Sequence, residues 1–334
     1  MRWALRLGGL VGVTAALRWL GADGPLDARA TLALGFLLLA ATLGAELAAR
    51  AHLPRLTGAL LAGAVLGPPW LELVRGDEVR ALAFLVDAAL AWLALAAGTR
   101  LSLAALRGER ALARVGAAMI VTPFAVVAAV ALSVSPWLPL TRHQPLGDGL
   151  AVALVLGSVA AASAPAVVGA LLHELDHRGP TERRLVALST AHALAAVVLF
   201  VLALTVARPL ASRGAVDAAV AGATAIRIAG SLGLGGALGA VVARVGWSGT
   251  GARRWTLVVV ALIVAEATRG LGLEPTLVAL ATGCALGSAA PAGDSAWRDA
   301  LAPGTAVAAL AYFALTGAGI DLVAVGALWP WVIL

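Results

Sequence analysis

One run in the chain has the residue types for bond-breaking chemistry. His173, Glu174 and His177 spell H-E-x-x-H, the spacing that puts two imidazoles on one helix face to bind zinc while the glutamate activates water. Catalytic zinc needs a third protein ligand, and no later Asn-Pro-x-Asp-Gly-like run supplies one. The run also stands just ahead of Gly179-Pro180, where a helix would stop. A solvated helix end is therefore the plainer reading, with an intramembrane zinc metalloprotease as its rival. Neither a metal nor a cofactor is expected, and the chain reads as a non-enzyme.

Three further ionisable groups interrupt apolar runs. Arg227 lies in the middle of one, where a charge costs a few kcal/mol unless it is paired or reached by water. Asp87 is the candidate partner. His192, close to Ser189 and Thr190, can carry a proton, but burial disfavours its charged form and that form would repel a cation. A lone buried histidine with no acidic partner is more often packed than functional, so both readings stay open. Glu46 and Glu266 fall at the ends of apolar runs, where interfacial water solvates them. The glycines from Gly230 to Gly239 follow no strand, which excludes a dinucleotide loop. Their spacing suits close helix packing instead. Cys284 is the only cysteine, so disulfides and cysteine metal clusters within the chain are excluded.

The elements that must position these groups are helices in lipid. With 61% hydrophobic and 13% charged residues among 334, the chain cannot hide its apolar surface inside one water-soluble core. Apolar runs of membrane-crossing length recur throughout, and no ten-residue alternation suggests a barrel. The expected helices are 3–20, 30–49, 54–71, 81–99, 115–135, 149–173, 185–207, 216–244, 255–269, 275–289 and 302–325, with a further one beginning near Ala327. The first could be a signal peptide, but Arg18 interrupts it and a retained anchor is preferred.

The net charge of +6 sits in short loops and reads as a topology signal, not as a nucleic-acid surface. Alternate loops differ in arginine. Arg50, Arg55, Arg107, Arg110, Arg114, Arg178, Arg183 and Arg184 all fall on the richer side, which the positive-inside rule makes cytoplasmic together with the N-terminus.

An internal repeat ties the halves together. Glu46 to Gly67, ELAARAHLPRLTGALLAGAVLG, resembles Glu266 to Gly287, EATRGLGLEPTLVALATGCALG, about 220 residues later. The same offset, within a residue, pairs LALAAGTRLSL ending at Leu103 with YFALTGAGIDL ending at Leu322. An odd number of helices between the copies makes the repeat inverted. The expected organisation is a single transmembrane domain: 1–29 an extra helix, 30–207 a first repeat, 208–254 a linker helix and 255–334 a partial second repeat. The counterparts of the helices over 115–207 would start where the sequence ends, so the second repeat is expected to be incomplete.

LPRLTGALLAGAVLGPP resembles the second core helix of the monovalent cation:proton antiporter family, the sodium/hydrogen exchanger type of transmembrane domain. Asp87 to Leu101 resembles that family's next helix, and SAPAVVGALLHEL, Ser163 to Leu175, resembles the broken helix at its ion site. The resemblance covers roughly residues 30 to 330. It implies an all-α polytopic membrane protein with an antiporter-type inverted-repeat bundle and a broken helix. It further implies exchange of Na+ or K+ for protons by alternating access, and a homodimer in the lipid bilayer of a bacterial inner membrane. By family position the ion-site region is Ser163, Ala164, Pro165, Ser189, Thr190, His192 and Ala193. The family's carboxylate pair falls on His192 and Ala193, and its broken-helix carboxylate on Ala164, so the essential acids are absent here. A non-transporting or regulatory relative is the alternative.

Overall fold

Among the residues described by the computed structural model, which are 12, 26–68, 70–99, 110–138, 141–162, 180–213, 218–245, 249–290, 295–320 and 326, eleven helices and no strand occur. They are α1 (Leu26–Arg50), α2 (Arg55–Leu66), α3 (Gly76–Ala81), α4 (Ala83–Gly98), α5 (Arg110–Val134) and α6 (Leu146–Ala160). After these come α7 (Pro180–Arg213), α8 (Ala218–Arg244), α9 (Thr250–Leu271), α10 (Pro275–Ala289) and α11 (Ala296–Ala318). Asp27 in the first turn of α1 and Arg50 in its last complement the helix dipole. Pro275 opens α10, where its missing N–H costs nothing.

The helices depart from hydropathy at their ends. α2 stops at Leu66 instead of 71, because Gly67 is extended (φ −73°, ψ 178°) ahead of Pro68. α7 starts at Pro180 instead of 185, and α11 at Ala296 instead of 302, each through a polar first turn that hydropathy cannot see. α3, a short acidic helix, was not expected. The expected helix 3–20 lies outside the described residues apart from Gly12, as do 163–173 of the helix expected over 149–173.

The chain forms two compact units. The first holds residues 1–93, 249–267 and 299–334. Its core joins Phe36, Leu37 and Ala41 of α1 to Ala59 of α2, to Val74 and Leu82, and to Ala314, Leu315 and Ala318 of α11. Helices approach through glycine. A Cβ on Gly44 of α1 would strike the Gly58 carbonyl of α2, and one on Gly58 would strike the Gly44 carbonyl. α2 and α11 meet the same way, with Gly63 against the Ala314 carbonyl, Gly317 against that of Leu60, and Gly67 against that of Ala318, which a Cβ on Gly67 would approach to 2.7 Å.

The second unit holds residues 94–248 and 268–298. Gly235 and Gly239 of α8 lie against the carbonyls of Val278 and Thr282 in α10, the close packing that membrane helices use in place of a hydrophobic drive. The end of α4 crosses α10 with Gly98 against the Leu280 carbonyl, Gly283 against that of Leu95, and Gly287 against that of Thr99, which a Cβ on Gly287 would approach to 2.6 Å. These contacts mirror those between α2 and α11 position for position. Gly63, Leu60 and Gly67 correspond to Gly283, Leu280 and Gly287, while Ala314, Gly317 and Ala318 correspond to Leu95, Gly98 and Thr99. The two sequence blocks that match therefore play matching packing roles.

Much of the outer surface is apolar. Over Arg114–Val134 only Ala131 is buried, and Val115, Met119, Val121, Val126 and Val130 all stand exposed. Such an apolar face is what a membrane-spanning helix presents. Exposed Trp70, Trp137 and Trp255 sit beside helix ends, as tryptophans do at the membrane interface. Within the described residues, four helices are long and apolar enough to cross a membrane, and the molecule is a multi-pass, all-α membrane protein.

Candidate functional site

The site is built where α6 ends. Its last helical residue is Ala160; Ala161 still bonds its N–H to Gly157 O at 3.1 Å, Ala162 bonds to Val159 O at 3.0 Å, and there the helix stops. Gly157, one turn back, lets α6 press on α5, since a Cβ there would lie 2.7 Å from the Phe124 carbonyl. At that end Ala161 is only 1% exposed, while Val159, Ala160 and Ala162 are exposed. A helix terminus leaves carbonyls without intrahelical partners, and a buried one needs a donor from elsewhere.

His192 of α7 is that donor. Its Nε2 lies 2.9 Å from the Ala161 carbonyl oxygen, and since a carbonyl only accepts, Nε2 carries the hydrogen. The ring is buried, and among the described residues its Nδ1 has no hydrogen-bond partner. Ser189, one turn earlier, and Ala193, the next residue, are both half-buried on α7; Thr190 falls in the same turn. Ser163, Ala164 and Pro165, together with His173, Glu174 and His177, lie outside the described residues. Among the described residues no group of three His, Cys, Asp or Glu side chains is placed to hold a metal ion.

The sequence matches the family described as "Sodium/hydrogen exchanger, transmembrane" over residues 34–334. The chain belongs to that family. The exchanger fold is also shared with a solved structure, the sodium proton antiporter MjNhaP1 from Methanocaldococcus jannaschii at pH 8. The TM-score is 0.61 at 18% identity, over 89% of this chain and 72% of that one. No curated protein matches in sequence. The family is one of transporters.

A second polar cluster in this exchanger escaped the sequence reading. Glu274, the residue before α10, has a side chain only 6% exposed and receives Arg208 Nη1 of α7 at 2.6 Å. Its backbone N–H donates to Ser231 Oγ at 3.0 Å, and Ser231 Oγ–H donates in turn to Arg227 O at 2.6 Å. Arg208 and Glu274 are 66 residues apart, so nothing local pairs them. The available signal was a charged residue beside a proline in an apolar run, which occurs at both Arg208-Pro209 and Glu274-Pro275.

The two intramembrane charges singled out beforehand lie in different units. Arg227 is half-buried on α8, and its Nε is buried without a hydrogen-bond partner among the described residues. Asp87 is half-buried on α4. Glu46, at the end of α1, pairs with Arg55 at 3.3 Å, with both side chains well exposed. Such a pair contributes at most about 1 kcal/mol.

Proposed function

We propose that this chain exchanges a monovalent cation, Na+ or K+, for protons by alternating access, as a homodimer in a bacterial inner membrane with its N-terminus in the cytoplasm. The observation that carries this reading is the end of α6, where the buried Ala161 carbonyl meets His192. A helix that stops inside a membrane protein presents its terminal carbonyls there, and such broken helices are how transporters hold ions near the bilayer midplane. Family membership over residues 34–334 and the fold shared with a sodium proton antiporter support it.

The acids that would bind the cation by family position are replaced by Ala164 and Ala193. That replacement favours a second reading, a non-transporting or regulatory relative. Reconstitution separates the two. In proteoliposomes carrying a pH gradient, added Na+ or K+ is expected to dissipate the gradient through the wild-type protein. The double variant His192→Asn with Ala193→Asp restores a carboxylate that binds the cation when ionised and carries a proton when neutral. It is expected to gain cation-dependent thermal stabilisation above the new carboxyl's pKa, about 2.7 kcal/mol when the cation is at a hundred times its Kd. A silent wild type beside an active double variant would establish the non-transporting reading. Exchange by the wild type equal to that of the double variant would show that no carboxylate is needed at residue 193.

The proposed orientation is tested separately. The loops around Arg107 to Arg114 and around Arg178 to Arg184 are expected to face the cytoplasm. With Cys284 replaced, single cysteines in either loop are expected to resist an impermeant thiol reagent in intact cells and to react once the membrane is opened. Labelling from outside would reverse the topology.

A further inference from the structure

We propose that Nδ1 of His192 is the atom that takes up and releases the proton in this exchanger, with the Nε2–H held throughout on the Ala161 carbonyl. The inference rests on the antiport reading above, because it names the group that couples proton to cation. Proton-coupled exchange needs a titratable group in the protein interior, and the described buried candidates are Glu78, His192 and Glu274. Glu78 accepts the Arg75 backbone N–H at 2.9 Å beside a short connecting helix. Glu274 is engaged by Arg208. His192 alone among the three offers a buried atom that is open to a proton and has no partner within the described residues.

The bond to Ala161 makes the chemistry unambiguous. An imidazole whose Nε2–H is fixed on a carbonyl has its lone pair on Nδ1. Taking up a proton forms one N–H bond at Nδ1 and adds one positive charge, and releasing it restores the lone pair. The contact that holds α7 to the end of α6 is made in both states, so titration leaves that join intact. One proton gained adds the charge that one departing monovalent cation removes, and the imidazolium repels the cation across a weakly screening interior. A single ring thus makes the two ions exclude each other, the task a carboxylate performs by competition.

α7 packs against α5, α6, α8 and α10. The charged residues of those elements are Asp148 in the first turn of α6, Arg110 and Arg114 at the start of α5, Arg227 and Arg244 on α8, and Glu274 ahead of α10. α7 itself carries Glu182, Arg183, Arg184, Arg208 and Arg213. Among the described residues the one hydrogen bond given for the His192 ring is that from Nε2 to Ala161.

His192→Gln is the discriminating variant. The glutamine amide can donate to Ala161 as Nε2 does, but it cannot be protonated. Its thermal midpoint is expected within a few degrees of wild type, while cation-driven proton flux falls about a hundredfold, the scale of removing a group that transfers protons. Independently, in 15N-histidine-labelled protein the signal lost in His192→Gln is expected to show Nδ1 titrating with pH while Nε2 stays protonated. Flux with an unchanged pH profile in His192→Gln would overturn the proposal and leave antiport standing. Titration at Nε2, or no titration of this ring across the active pH range, would overturn it too. A wild type without flux would sink the antiport reading. The nitrogen spectrum, which needs no variant beyond the assignment, would then decide the proton site alone.

Discussion

Gly63→Val and Gly283→Val are each expected to lower the thermal midpoint by roughly 5–10 °C, and by similar amounts. A Cβ at Gly63 would run into the Ala314 carbonyl and lie 3.0 Å from the Ala318 nitrogen; at Gly283 it would meet the Leu95 carbonyl, with Gly98 Cα also at 3.0 Å. These are backbone atoms at helix crossings, so no rotamer change relieves the clash and the helices must separate. Overpacking of this kind costs about 1–3 kcal/mol or more, and each kcal/mol lowers the midpoint by about 2–4 °C in a domain of this size class. Gly236→Ala is the control. Nothing lies within 4 Å of a Cβ there, so the helical preference for alanine over glycine, about 0.5–1 kcal/mol, is expected to leave stability equal or slightly higher. Thermal melts in one detergent decide the matter, and equal melting of all three variants would refute the packing account.

Arg208→Met is expected to destabilise the protein more than Glu274→Gln does. Removing the arginine strands a carboxylate that is 6% exposed, whereas removing the acid leaves a guanidinium that is 56% exposed and reached by water. Breaking a fully buried pair costs about 3–5 kcal/mol. Screening at the exposed Arg208 end brings the expectation for Arg208→Met to roughly 2–3 kcal/mol, against about 1 kcal/mol for an exposed pair. Adding Glu274→Gln to Arg208→Met is expected to recover most of the loss, since a neutral amide needs no counterion. A double variant no more stable than Arg208→Met would show that the loss comes from missing packing and not from an unpaired charge.

The helices were legible where apolar runs were long, because lipid selects for unbroken hydrophobic length. α10 was read to the residue at both ends, with Pro275 marking its start. The ends of α7 and α11 were misjudged because their first turns are polar, and α3 was missed because six residues with two acids resemble a loop. The family was readable from matched blocks, since glycines at helix crossings leave little freedom in sequence. At the candidate site His192 could be singled out by type and family position, but not by what it touches. Its contact with Ala161 spans 31 residues and depends on where α6 stops, which runs of alanine on both sides conceal. The Arg208–Glu274 pair was hidden for the same reason, its partners being distant and its signal a single charge in each of two apolar stretches.

The mirrored glycine crossings also constrain how the chain is made. α2 is synthesised early but closes on α11, so Gly63 waits for Ala314. At about 5–20 residues per second, that wait lasts on the order of tens of seconds, during which glycine-lined faces sit in the membrane without their partners. α10 in turn closes on the end of α4, which by then has long been inserted. Neither half of the sequence contains both sides of its own crossing. Assembly is therefore an exchange of helices between early and late segments, and a chain severed between them could regain these crossings only when both pieces share one membrane.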